Sequence, residues 1–157
     1  MALIYLSLRE PSSIPRCPQE YDIDALNAQI AAEPPRKPPA TLEEHRDYIL
    51  EDMSNFMKPG GATYQEDAVK KCGVVLDAFI RDVRDAKMLG NQAGIRGVVK
   101  TAVLALNQLN AACDHGLIET MERENIVFLM MVAAKEAGYP EDLLSAENDL
   151  TLPEREW

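Results

Sequence analysis

The chain has 157 residues, 46% of them hydrophobic and 27% charged, which suits one domain with its own core and no need of disulfide or metal staples. That balance excludes a wholly disordered chain. With 16 Lys plus Arg against 26 Asp plus Glu, the formal charge is −10 and the pI about 4.6, which disfavours nucleic-acid backbones and anionic membranes. A macromolecular partner, if there is one, is expected to be basic.

The N-terminal MALIYLSLRE is too short to span a bilayer, and no basic stretch precedes its apolar part. No signal peptide is expected, and the expected location is the cytoplasm. Ala2–Leu8 reads either as an edge strand or as an arm packed on the rest. Pro11, Pro15 and Pro18 break any regular element after it. Asp22 can cap a short helix over 22–32 with Ile23, Leu26 and Ile30 on one face. Pro34, Pro35, Pro38 and Pro39 then impose extended polyproline II, read as a stiff linker rather than as a PxxP ligand. Residues 1–40 thus form an irregular, Pro-rich arm, and 41–157 a helical domain.

Thr41 and Glu44 make a capping box that starts a helix near Leu42. Leu42, Tyr48, Ile49, Met53, Phe56 and Met57 form its apolar stripe, and Lys58-Pro59-Gly60-Gly61 ends it. Thr63 and Glu66 repeat the box. The next helix carries Val69, Cys72, Val75, Leu76, Phe79, Ile80 and Val83 on one side. Asp77, Arg81 and Asp85 on the other are spaced for i,i+4 ion pairs. A glycine-containing connection leads to Ile95, Val98, Val99, Ala102, Val103, Leu106, Leu109 and Cys113, again at helical spacing. The chain breaks at Asp114-His115-Gly116, with Gly116 expected as the cap. Ile126–Ala134 follows, apolar all round, so that other helices are expected to cover it. Gly138 caps that helix, Pro140 can open a short final one, and 150–157 is irregular. The expected fold is all-α, a bundle of four long helices with one or two short ones.

No motif specifies a catalytic centre, a cofactor site or a metal site. Cys17, Cys72 and Cys113 are odd in number and form no CxxC pair, in keeping with a reducing compartment. A di-iron bundle needs Glu-x-x-His pairs, which are absent. Cys113, Asp114 and His115 look like a nucleophile, an acid and a base, but neighbours in sequence rarely aim at one atom, and a helix C-terminus explains them. Gly90, Gly94 and Gly97 before Lys100-Thr101 have the wrong spacing for a phosphate loop; a turn and a close helix crossing are expected instead. Glu119, Glu122 and Glu124 suit the first turn of a helix, and serve equally as an acidic contact patch.

Several short pieces together resemble a group of small all-α bacterial proteins that look like immunity partners of contact-dependent or secreted toxins. They are KCGVVLDAFIRDV (Lys71–Val83), Asn107-Gln108-Leu109-Asn110, Ile118-Glu119-Thr120 with Glu122-Arg123-Glu124, Ala137-Gly138-Tyr139 and the closing Arg155-Glu156-Trp157. The resemblance implies a stoichiometric inhibitor that binds one toxin and blocks it. The expected function is therefore that of a non-catalytic binding protein for a protein partner, a cognate toxin with a basic surface. Glu119, Glu122, Glu124, Asp77, Asp85 and Trp157 are the expected contacts. An adaptor or secretion chaperone is the alternative, and an enzyme with a site assembled from scattered residues a further one.

Overall fold

The computed structural model describes residues 37–57, 62–141, 144 and 149–157. The readings of Ala2–Leu8 and of the helix over 22–32 lie outside these residues, as does most of the short helix expected after Pro140. Four helices and no strand occur among the described residues: α1 (Leu42–Met57), α2 (Glu66–Met88), α3 (Gln92–Ala111) and α4 (Thr120–Glu136). All belong to one compact unit, Pro38–Trp157.

The N-terminus of α1 is fixed as the capping box requires. The Glu44 N–H donates to Thr41 Oγ1 at 3.1 Å, and the Glu44 carboxylate accepts the Ala40 N–H at 2.7 Å. Leu42, Ile49 and Met53 are buried, while Phe56 at the end of the stripe is 44% exposed. In α2 the stripe from Val69 to Val83 is buried apart from half-buried Val75. The close crossing of α1 and α2 falls at Gly73, where a Cβ would lie 2.9 Å from Leu50 Cδ1. Gly97 was expected at a close crossing and is not, since a Cβ there meets nothing within 4 Å.

One residue ends α2 and begins α3. With Gly90 at φ +60°, the Asn91 N–H reaches back to the Ala86 carbonyl at 3.1 Å, closing α2 in a Schellman motif. The Asn91 Oδ1 then accepts the Gly94 N–H at 2.9 Å and caps α3. Gly138 at φ +89° ends α4 in the same way, with Tyr139 N–H on the Ala134 carbonyl at 2.9 Å.

Two expected caps are replaced by long-range contacts. Thr63 does not cap α2, whose N-cap is Gln65; its hydroxyl donates to the Cys113 carbonyl at 3.1 Å. At the α3–α4 break the left-handed residues are Asp114 (φ 52°) and His115 (φ 61°), not Gly116. Gly116 is needed for space, because a Cβ on it would lie 2.1 Å from Thr63 Oγ1. Gly116→Ala is therefore expected to cost roughly 1–3 kcal/mol in chemical denaturation, as overpacking does. Thr63→Ala in the same chain removes the obstructing oxygen, so the double substitution should cost less than the sum of the two. Strict additivity would refute this account of the contact.

Around the bundle α3 packs on α2, α2 on α1 and α1 on α4, whereas α3 and α4 approach each other only slightly. The C-terminal segment lies at that loose seam. Asn107 of α3 donates through Nδ2 to the Glu154 carbonyl at 2.6 Å and accepts the Glu156 N–H at 3.3 Å. Lys100 pairs with Glu154 at 2.8 Å. Within the segment, Asp149 gathers the Thr151 N–H (2.8 Å), the Thr151 hydroxyl (2.6 Å) and Arg155 Nη1 (2.8 Å). These bonds satisfy two buried polar side chains, Asp149 and Thr151, at positions where an unpaired group would be costly. Leu150 is buried beside them.

Candidate interaction surface

The acidic residues singled out by sequence do not form one patch. Glu119 is the N-cap of α4, and its N–H donates to Glu122 Oε2 at 3.3 Å, so Glu122 serves the helix start. Both charges lie close enough to raise the pKa of Tyr64, whose phenol is pushed to about 12, first by burial and then by Glu122 and Glu119. Tyr64 is buried and donates to the Met53 carbonyl at 3.0 Å, which ties the segment before α2 to the C-terminal half of α1. Asp114, Glu119 and Glu124 are exposed and take part in no ion pair among the described residues.

Asp77 sits elsewhere, on α2, and is bound by Arg46 of α1 at 2.5 Å instead of by Arg81. Arg81 turns to Asp82, at 2.8 Å, so neither expected i,i+4 pair forms. The i,i+4 pairs on α2 are Glu66–Lys70 and Asp67–Lys71, both 2.8 Å. Asp85, two helical turns beyond Asp77, is exposed and unpaired among the described residues. Trp157 is half-buried against the core with its indole N–H enclosed, and the Arg155 guanidinium stands 5.5 Å from the ring centroid. The ring therefore packs rather than presenting a free edge.

The residues at the α3–α4 break do not assemble into a catalytic pair. Cys113 is buried and His115 exposed, and no hydrogen bond joins them. Burial, followed by the Asp67 charge, raises the Cys113 thiol above its ordinary range. Burial pushes Cys72 to about 12. Both thiols are held away from the thiolate that a nucleophile or metal ligand requires. Among the described residues, no group of three or more His, Cys, Asp or Glu is arranged to hold a metal ion. No helix among them is long and apolar enough to cross a membrane.

One concave feature escapes the sequence patterns. A cavity of about 560 Å³ is lined on α4 by Arg123, Glu124, Val127, Phe128 and Met131, and across from them by Leu144, Asp149 and Arg155. Contrary to expectation, the Ile126–Ala134 run of α4 is thus not covered all round: Phe128 is 54% exposed. No periodicity signals this, because an apolar helix reads alike whether its last face is covered or open. The His45 ring of α1 lies against Phe128 in a tilted contact, with ring centroids 5.0 Å apart. Neither a known protein family, nor a curated protein, nor a solved structure matches the chain.

The His45 environment gives a pH dependence. Burial lowers the imidazole pKa below its ordinary 6.5, so the unfolded chain binds the proton more readily than the folded one. Stability from this group is complete above about pH 6.5 and is lost as pH falls below it. Glu43, held below 4.5 by the Arg84 guanidinium, adds a loss further down. Thermal melts of His45→Gln should show a flatter decline in Tm than the parent between about pH 7 and 5. Parallel declines would exclude this source.

Proposed function

We propose that this chain is a non-catalytic protein-binding module of the bacterial cytoplasm, most concretely an immunity protein that neutralises a toxin with a basic surface. The supporting observation is electrostatic. The chain carries a formal charge of −10, and Asp114 in the α3–α4 connection, Glu119 at the N-cap of α4 and Glu124 in its second turn are exposed without an ion-pair partner among the described residues. Carboxylates left unpaired on a rigid bundle attract a cationic partner over a Debye length of roughly 8–10 Å and speed its capture. Helix-start chemistry accounts for Glu122, but not for Asp114 or Glu124. The contact set is accordingly centred on Glu119, Glu124 and Asp114, with Asp85 as an outlying charge and Asp77 already held by Arg46.

Co-expression with the product of the neighbouring gene tests the reading. Growth should be lost with the neighbour alone and restored by this chain. Association of the purified pair should slow about tenfold or more when Glu119 and Glu124 are both replaced by Lys, and should slow with added salt. A neighbour that is harmless, or toxic but not relieved, would overturn the proposal.

A further inference from the structure

The arginines among the described residues follow a rule with one exception. Arg46 bonds Asp77, Arg81 bonds Asp82, Arg84 bonds Glu43, Arg96 bonds the Tyr139 hydroxyl, and Arg155 bonds Asp149. Arg123 has no side-chain partner among the described residues, although carboxylates outnumber cations in this chain. It is half-buried, and it lines the 560 Å³ cavity beside Val127, Phe128, Met131 and Leu144. A guanidinium that is partly withdrawn from water and placed over an apolar floor is short of an acceptor.

We propose that this cavity binds a small monocarboxylate bearing an unbranched apolar chain, with the carboxylate on Arg123 and the chain along Val127, Phe128, Met131 and Leu144. The volume lies in the range of small-ligand sites, and a few polar groups on an otherwise apolar wall are their usual make-up. The other charges of the wall fit this assignment. Asp149 is neutralised by Arg155 and accepts from Thr151, so it does not compete for Arg123. Glu124 stands exposed at the rim, where it weakens the attraction for an anion without removing the fork of donors that a carboxylate fits. The His45 ring, tilted against Phe128 at 5.0 Å between centroids, restricts the phenyl ring before a ligand arrives. The site does not depend on the protein-binding function.

Titration of the full-length, isotope-labelled chain with decanoate, decanol and decylamine below their micelle concentrations tests the assignment by amide shifts. Decanoate should perturb Val127, Phe128 and Met131 and bind about tenfold or more tightly than decanol or decylamine, the margin of a charge-assisted bond. Arg123→Gln should abolish that preference, Arg123→Lys should keep part of it, and Glu124→Gln should tighten decanoate a few-fold. Equal binding of the three probes marks adsorption to an apolar surface only and overturns the proposal. So does unchanged decanoate binding in Arg123→Gln, or a set of shifts confined to another face. A Gln variant that fails to melt cooperatively hands the decision to the Lys and Glu124 variants, whose opposite behaviour is required.

Discussion

Asn110→Ala is expected to destabilise the bundle by roughly 2–5 kcal/mol, because it strands two buried backbone donors at once. Asn110 is 2% exposed, and its Oδ1 accepts the N–H groups of Leu117 and Ile118, each at 3.0 Å. The carbonyl of the same residue accepts the His115 and Cys113 N–H groups, at 2.9 and 3.0 Å. One asparagine thus closes α3 through its backbone and organises the return into α4 through its side chain. Alanine keeps the first set and loses the second, and water cannot replace it beside Leu117 and Ile118, which are 0% and 4% exposed. Denaturant unfolding should show a lower midpoint at an unchanged slope. A loss under about 1 kcal/mol would mean that these amides find other partners.

Removal of residues 149–157 is the second large effect, on the order of 3–5 kcal/mol. It exposes the surface under Leu150 and Trp157 and unmakes the bonds of Asn107. The effect separates into parts through Asn107→Ala. In the full chain that substitution should cost about 1–3 kcal/mol, since it leaves the Glu154 carbonyl and the Glu156 N–H without partners. In the shortened chain it should cost little, because the partners are already gone. Equal costs in both chains would show that the C-terminal segment does not depend on α3 through this residue.

Asn107 and Asn110 fall in one of the short sequence pieces on which the expected resemblance to immunity proteins rests. Asn107 bonds the Glu154 carbonyl and the Glu156 N–H, beside and within the closing piece, and Asn110 accepts the N–H of Ile118, which opens another. Tyr139 of a further piece accepts Arg96 at 2.8 Å. Hydrogen bonding within the fold is therefore sufficient to account for Asn107, Asn110 and Tyr139.

The sequence by itself determined the helical class and three of the four buried stripes. The periods of Leu42–Met53, Val69–Val83 and Ile95–Leu106 are local properties of a helix, and apolar residues at that spacing have one stable use in water. It also determined the start of α1 and the end of α4, since a capping Thr and a left-handed Gly act within a few residues. What only the tertiary structure decided are the contacts between residues far apart in the chain. Thr63 had a local use as a cap and took a distant one on Cys113. Asp77 had Arg81 within reach and was bound by Arg46. The irregular end became the filler of the seam that α3 and α4 leave between them. In each case the contact joins segments far apart in the chain, and which distant group comes within reach depends on how the helices pack, a quantity that no spacing along the chain encodes. The acidic first turn of α4 was legible as residues. That its charges are left unpaired beside an open cavity was not.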